Sequence, residues 1–277
     1  MRLTGVMLFL VPVVTIVSYG KDLDDLVKGN AGFDVRSKWL SYGLVDNDDP
    51  IIQPGASLTF FDMITAGALF YIDVTNFGEY RGRGDRTWDF WEVDYTADMR
   101  HVFLHDDYSW LPTSVELGLG YRYEFYPPRT HYGDAQFWLL NMSLADLWLV
   151  PCLVYERETM LDNGTYLNFS VSHEFELAEN IQLVPVVGQG FGDRKRLGGY
   201  LQREDGHPFD RAGLMDFQIS LGVIWSVLKW MQVSAYVAYT DFPFDRHVRE
   251  AARRYRTESK DAVSWNFTYG IGVHANF

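Results

Sequence analysis

The stretch from Val263 to Phe277, VSWNFTYGIGVHANF, decides the fold class of this chain. Apolar or aromatic side chains occupy every second position, namely Val263, Trp265, Phe267, Tyr269, Ile271, Val273, Ala275 and Phe277. Small or polar side chains lie between them, namely Ser264, Asn266, Thr268, Gly270, Gly272, His274 and Asn276. A period of two places successive side chains on opposite faces of a β-strand. One apolar face and one polar face are typical of a strand that separates lipid from a watery lumen.

The same stretch ends on an aromatic residue, Phe277. A membrane strand with this ending resembles the assembly signal of bacterial outer-membrane proteins. We therefore expect the barrel-assembly machinery to be a partner that binds through Phe277.

The alternation recurs along the chain and predicts twelve strands. The clearest upstream segments are 66–74, 91–98, 115–125, 167–175, 215–225 and 231–239, and weaker ones lie near 33–42, 54–62, 136–144, 148–158 and 182–190. Short turns, as at Phe61–Ile64, alternate with long connections, as at 190–212. This favours an all-β fold, a closed antiparallel transmembrane β-barrel of twelve strands, with ten or fourteen as alternatives. A soluble sandwich would rarely carry so many carboxylates along one face of most strands.

The N-terminus has the pattern of an export signal. Arg2 precedes the apolar run Val6–Val17, and small residues then precede Lys21. We therefore expect a signal peptide, 1–20, a periplasmic lead-in, 21–30, and an outer-membrane β-barrel, 31–277.

The composition argues against two other classes of protein. The 277 residues carry a formal net charge of -13, whereas nucleic-acid binding calls for a basic footprint. The mean hydropathy is -0.14, and only the N-terminus has an apolar run approaching the length of about 20 residues that a membrane helix needs. The 9 Trp, 17 Tyr and 19 Phe are more easily accommodated on the lipid-facing side of a barrel.

Charged residues of the predicted strands fall mainly on the lumen phase. We predict that the lumen and its selectivity depend on Arg36, Lys38, Asp73, Glu92, Asp94, Glu116, Arg122, Glu124, Arg157, Glu174 and Asp216. A turn near Asp106 would place Glu92 nearly opposite Arg122. These charges either brace the interior as salt bridges or line a narrow, mildly acidic channel that favours cations or polar neutral solutes.

Basic residues concentrate in the predicted extracellular loops. We predict that Arg194, Lys195, Arg196, Arg246, Arg249, Arg253, Arg254 and Arg256 form a rim. Such a rim would bind the phosphates of lipopolysaccharide, or it would act as a funnel for anionic solutes. The stretch Arg246–Arg256 has the pattern of an amphipathic helix that folds over or into the barrel mouth.

Several motifs between Val35 and Asp193 resemble one bacterial family. They are Ser37–Gly43 (SKWLSYG), Pro50–Pro54 (PIIQP), Trp91–Thr96 (WEVDYT), Gly120–Pro127 (GYRYEFYP), Pro151, Tyr155, Gly164–Tyr166 and Ser172–Phe175. Together they resemble the TorF-like porins, which are outer-membrane proteins. The resemblance implies a barrel with a pore, and it implies no catalytic residue.

These patterns predict a porin-like channel in the cell outer membrane for passive diffusion of small polar or charged solutes. The alternative is a non-conducting structural or docking barrel whose basic loops bind lipopolysaccharide or a partner protein.

We expect no enzyme activity. His173 has Ser172 and Glu174 as sequence neighbours, but their side chains lie on the opposite face of the strand, and His173 lies near the periplasmic end. We also expect no cofactor and no metal site. Outer-membrane lipid and small solutes are the expected partners, and the oligomeric state is left open.

Overall fold

A computed structural model of the chain describes residues 26–47, 49–74, 89–108, 113–126, 133–255 and 264–277. The expected signal peptide and Arg256 of the predicted rim lie outside the described residues. The strands are β1 (Val27–Arg36), β2 (Trp39–Ser41), β3 (Leu44–Asn47), β4 (Ile51–Phe60), β5 (Ile64–Asp73), β6 (Asp89–Phe103), β7 (Val115–Phe125), β8 (Ala135–Leu144), β9 (Val150–Glu158), β10 (Thr165–Ser172), β11 (Phe175–Ala178), β12 (Ile181–Gly192), β13 (Gly213–Leu228), β14 (Met231–Asp241) and β15 (Asn266–Asn276).

Twelve antiparallel strands form a closed barrel. β10 and β11 are two parts of one interrupted strand, since both pair with β12. β1 pairs with β4 on one side and with β15 on the other, so the first wall strand joins the last. The order around the wall is β1, β4, β5, β6, β7, β8, β9, β10 with β11, β12, β13, β14 and β15. The prediction of a closed twelve-stranded antiparallel barrel is confirmed.

The last strand shows which side of the wall meets lipid. Phe267, Tyr269 and Ile271 are each half exposed or more, whereas Asn266 and Thr268 are buried inside. The same outward exposure recurs around the wall at Leu119, Leu140, Phe169, Ile219 and Val237. An apolar exterior on a barrel with no free strand edge satisfies the two demands of a bilayer core, apolar contact and paired backbone groups.

The first strand differs from its prediction. β1 begins at Val27, inside the expected lead-in, and ends at Arg36, whereas the sequence pattern continued to residue 42. β2 and β3 then form a separate hairpin, which we call the inner hairpin, residues 39–47. Its tip has Tyr42 at φ 51° and Gly43 at φ 79°, and two residues with positive φ form the tight turn that suits a two-residue hairpin.

Within the described residues, two helices lie in the long extracellular connections, α1 (Arg194–Tyr200) and α2 (Arg246–Tyr255). α2 was anticipated as an amphipathic helix at the barrel mouth. Neither helix is long and apolar enough to cross a membrane. Both helices and the inner hairpin contribute to one apolar core, which we call the mouth cluster: Leu44, Tyr166, Leu197, Leu201, Phe209, Met215, Phe242, Val248, Ala251 and Ala252.

Candidate functional site in the barrel lumen

The inner hairpin crosses the extracellular half of the bore. It starts from β1, and the Tyr42 hydroxyl donates a hydrogen bond of 2.9 Å to a Glu156 carboxylate oxygen. Glu156 lies on β9, the seventh of the twelve wall strands counted from β1, and therefore on the opposite side of the barrel. At the hairpin base, the ring centroids of Trp39 and Tyr71 are 4.5 Å apart. The hairpin thus connects opposite walls.

The hairpin tip fits closely against the wall behind it. The Gly43 carbonyl accepts a hydrogen bond of 3.1 Å from the Asn266 side-chain amide on β15. A Cβ atom at position 43 would lie 2.5 Å from Cβ of Asp216. Only glycine combines this close approach with the positive φ of the turn. Leu44, the next residue, is 2% exposed in the mouth cluster, so the tip is anchored by packing as well as by hydrogen bonds.

Arg122 of β7 links the lumen wall to the same network. Its Nε lies 2.9 Å from a Glu124 oxygen, and a terminal guanidinium nitrogen lies 3.3 Å from the Glu156 oxygen that Tyr42 binds. The guanidinium also lies 4.3 Å from the centroid of the Phe137 ring. One cation therefore serves two carboxylates and an aromatic face.

Three buried acids meet beside Arg122 and form what we call the carboxylate cluster: Glu92, Asp94 and Glu124. Their burial follows from the register, which pairs Asp94 of β6 with Glu124 of β7 on the lumen face. The Tyr71 hydroxyl donates to Asp94 at 3.0 Å, and the Tyr126 hydroxyl donates to Glu124 at 2.9 Å.

The expected pairing of Glu92 with Arg122 was wrong. Thr96 is the residue opposite Arg122, because β6 runs on to Phe103 and pairs there with Val115. The long connection between these strands therefore contains strand extensions toward the periplasm, which shift the register away from a turn near Asp106.

The other predicted lumen residues are distributed along the bore. Asp73 and Asp216 are buried in the extracellular half, and Tyr166 donates to Asp216 at 2.9 Å. Arg36 lies over the rings of Trp39 and Tyr236, at 5.9 and 5.6 Å from their centroids. Lys38 lies in the short link between β1 and β2. Glu116 lies 3.8 Å from Arg100 nearer the periplasm, and Glu174 is exposed in the break between β10 and β11.

Arg157 is not in the lumen, contrary to the prediction. It pairs across the sheet with Trp138, which is half exposed on the outer face, and cross-strand partners share a face. Its guanidinium instead binds Asn163 and Thr165 at the rim, at 2.9 and 3.0 Å. The neighbouring Glu156 therefore lies on the lumen face of this strand, as Glu158 does, and neither was predicted from the sequence. The outward phase of Leu153 and Tyr155 was the signal that could have identified them.

Arg196 lies in the interior of the mouth and not on the rim, contrary to the prediction. It is 1% exposed, and its guanidinium lies 3.0 Å from a carboxylate oxygen of Asp162. The same group lies over the rings of Tyr42, Phe137 and Tyr200, at 4.9, 5.3 and 5.6 Å from their centroids. Asp193 caps α1 by accepting a bond from the Arg196 amide and thereby fixes the turn of helix that directs this side chain inward.

The Asp162 carboxylate is positioned by its own loop. The Glu158 carboxylate accepts hydrogen bonds from four successive backbone amides, those of residues 160 to 163, at 2.6 to 2.8 Å. This loop holds Asp162 against Arg196. Burial raises the pKa of Asp162 to about 6, although the positive charge of Arg196 acts in the opposite direction.

We expect this carboxyl to make stability depend on pH. A group whose pKa is higher in the folded state than its unfolded value of 3.8 binds its proton more readily when folded. The stabilisation that Asp162 contributes is complete below pH 3.8, the pKa of the unfolded state, and is lost as pH rises through about 6. The urea midpoint of the wild type should therefore fall more between pH 4 and pH 7 than that of Asp162→Asn. Asp210→Asn, an exposed acid of the next loop, is the control and should behave like wild type. An equal change of the urea midpoint between pH 4 and pH 7 in all three proteins would contradict the raised pKa of Asp162.

The remaining rim residues divide into exposed and paired groups. Arg194, Lys195, Arg246 and Arg253 are exposed, and Arg246 also forms a 2.8 Å ion pair with Glu250 on the same helix. Arg249 forms a 3.0 Å ion pair with Asp241, and Arg254 is half-buried. Beside α1, a pocket of about 490 Å³ is lined by Arg194 and Lys195 together with Asp162 and Asp210. The predicted lipopolysaccharide surface is therefore smaller than the sequence indicated.

His173 lies at the periplasmic end of the wall. Its ring centroid lies 4.6 Å from that of Trp148 and 4.3 Å from that of Phe175. Its Nδ1 contacts the Trp148 carbonyl oxygen. These contacts give the imidazole a structural setting among aromatic rings.

Neither a protein-family model nor a curated protein matches the sequence. Among solved structures, OmpT, an outer membrane protein of Vibrio cholerae, is 13% identical over 91% of this chain and 96% of that chain, with a TM-score of 0.36. The NanC porin is 9% identical over 90% and 98%, with a TM-score of 0.47. Salmonella typhi OmpF, in complex with daunomycin, is 9% identical over 91% and 97%, with a TM-score of 0.37. The closed wall and its outward apolar face make this chain an outer-membrane β-barrel protein.

Proposed function

We propose that this barrel is a narrow channel for small polar or charged solutes, constricted on its extracellular side by the inner hairpin. The observation that carries this proposal is the hydrogen bond from Tyr42 to Glu156, which brings the hairpin across the bore to the opposite wall. A loop that folds into a barrel narrows the passage and sets its selectivity by the charges that face it. The resemblance to TorF-like porins supports the same function.

The charges beside the hairpin favour cations. Glu92, Asp94 and Glu124 line the wall between β6 and β7, and Arg122 is bound to Glu124 and Glu156. On the other side of the hairpin, the mouth cluster is apolar and packed. We therefore place the permeation path along the β4–β7 wall, where a solute would meet carboxylates.

Ion preference in planar bilayers tests this path. We expect small stepwise openings from the wild type with a preference for cations over anions. Glu124→Gln should reduce that preference, because it removes a buried negative charge from the constriction. Glu174→Gln is the control, since Glu174 lies exposed near the periplasmic end and away from the inner hairpin. Silence from well-folded protein, or an equal effect of both substitutions, would contradict the proposal.

A docking barrel is the second candidate, and the packing of the mouth cluster favours it. α1 and α2 press Leu197, Val248 and Ala251 into this core and present Arg194 and Arg246 outward. Exposed arginines of this kind bind phosphate groups by charge-assisted hydrogen bonds. A barrel of this class would be silent in bilayers and would bind lipopolysaccharide in a manner weakened by Arg194→Ala together with Arg246→Ala.

A further inference from the structure

We infer that Glu92, Asp94 and Glu124 form a binding site for a hard divalent cation such as Ca²⁺, with the Gln53 side-chain oxygen as a neutral ligand. The site is independent of whether the barrel conducts. No metal site was expected from the sequence, and these ligands have no local spacing that would indicate one, because they come from three strands.

The spacing of the carboxylates fits one ion. One oxygen from each of the three acids lies within 4.8 Å of the other two. Calcium binds oxygen at about 2.3–2.6 Å, so two oxygens on opposite sides of one ion lie about 4.6–5.2 Å apart. All three side chains are less than a tenth exposed. Arg122 is shared between Glu124 and Glu156 and carries a single positive charge, so the remaining buried carboxylates require protons or a further cation.

Gln53 supplies an independent observation. It is 1% exposed, and neither polar atom of its side chain has a hydrogen-bonding partner among the described residues. Buried amides in proteins are almost always hydrogen-bonded, so an unpaired one points to a missing ligand. One oxygen of Asp94, Oδ1, is likewise buried and unpaired in the described part of the chain.

The position of Gln53 connects it to the carboxylate cluster. It lies on β4 opposite Asp34, on the lumen face. On the other side of β4, Ile52 pairs with Ile72 of β5, and this register places Gln53 across from Tyr71. Tyr71 in turn is opposite Glu92 and donates to Asp94. Gln53, Tyr71 and Glu92 therefore form one row across three adjacent strands on the lumen face, where the Tyr71 ring contacts Trp39 of the inner hairpin.

The ligand chemistry favours calcium over softer or smaller metals. Carboxylate and amide oxygens are hard ligands that suit Ca²⁺ and Mg²⁺ rather than thiophilic ions. Mg²⁺ demands near-ideal octahedral geometry and keeps several waters, whereas Ca²⁺ accepts an irregular set of protein oxygens. A set drawn from three strands of a rigid wall is irregular, so we expect Ca²⁺ to bind more tightly.

Calorimetric titration with CaCl₂ tests the site. The full chain is refolded from inclusion bodies in detergent, which removes lipopolysaccharide and its own calcium sites, and is treated with chelator. We expect one saturable site that Mg²⁺ fills more weakly. Asp94→Asn should weaken Ca²⁺ binding by about tenfold or more. Glu116→Gln, which removes a lumen carboxylate outside the cluster, should leave the affinity unchanged.

Gln53→Leu separates a coordinated ion from general attraction to acids, and it keeps the test decisive if Asp94→Asn folds poorly. It leaves every carboxylate in place, so only loss of a neutral ligand would weaken binding. Calcium should also raise the unfolding temperature of the wild type, because the ion binds only the folded barrel. Absence of saturable heat, or affinities for Asp94→Asn and Gln53→Leu equal to wild type, would overturn the inference. Neither result depends on the conductance of the protein.

Discussion

Arg196→Ala is expected to lower the free energy of local unfolding at the barrel mouth by about 3–5 kcal/mol, which is the cost of breaking a buried ion pair. The substitution removes a guanidinium that is 1% exposed and leaves Asp162 without its cation. It also removes the cation that packs on the Tyr42 ring. Because each step of about 1.4 kcal/mol is tenfold in an equilibrium, amide exchange at the mouth should accelerate by roughly two to four orders of magnitude. The amides of Leu201 and Phe209 are suitable reporters, since both are hydrogen-bonded within this region.

The control for this experiment lies on the same helix. Arg194→Ala removes an exposed arginine of α1 and should leave exchange unchanged. Arg196→Lys should recover only part of the protection, because an ammonium group does not stack on aromatic rings as a planar guanidinium does. If Arg196→Ala exchanged as slowly as Arg194→Ala, the buried arginine would not hold the mouth together.

Removal of the inner hairpin should raise the single-channel conductance several-fold. Arg36 and Ile51 are direct register partners, so an Asn-Gly turn can join β1 to β4 in place of residues 37–50. The wall pairing would remain, while the segment that reaches Glu156 would be absent. The larger bore should also discriminate less between cations and anions, since solutes would pass farther from the wall charges.

A matched loop deletion controls for nonspecific effects of shortening the chain. Residues 203–207 form an exposed turn of the connection that carries α1, outside the lumen. Their replacement by Gly-Ser should leave the conductance at its wild-type value. Equal conductance of the wild type and the hairpin deletion would show that the hairpin does not occupy the pathway.

The strand pattern was predictable because it depends on local chemistry alone. In β15, the alternation of Phe267, Tyr269 and Ile271 with small residues specifies both the strand and its lipid face. The short turn after Phe60 was also predictable, because only a few residues separate the two alternating segments there. The same rule failed at Arg157, because a shift of one residue in a weakly patterned strand exchanges its two faces.

The inner hairpin was not predictable from the sequence. Trp39, Leu40 and Ser41 continue the apparent alternation of β1, and Tyr42-Gly43 is a weaker turn signal than Asn-Gly. Its inward direction depends on contacts with β9 and β15, which lie more than 100 residues away. Arg196 was assigned to the rim for a related reason. A basic residue in a loop is usually solvated, and only the folded chain brings Asp162 and three aromatic rings around it.

The carboxylate cluster was predicted only in part. Glu92, Asp94 and Glu124 were assigned to the lumen from their phase, but their proximity depends on the exact register of β6 with β7. The sequence could not indicate that β6 continues to Phe103. Gln53 was missed because a lone amide in a weak strand carries no pattern.

Thiol labelling at Leu44 tests most directly whether the first extracellular loop folds into the bore. The protein would carry Leu44→Cys together with Cys152→Ser, which removes the native thiol. We predict that a small maleimide leaves this thiol unmodified in the folded barrel, because Leu44 is 2% exposed, and modifies it only after unfolding. Arg203→Cys in the same background, on an exposed loop, should react at once. Labelling of Leu44→Cys as fast as Arg203→Cys in folded protein would contradict an inward hairpin.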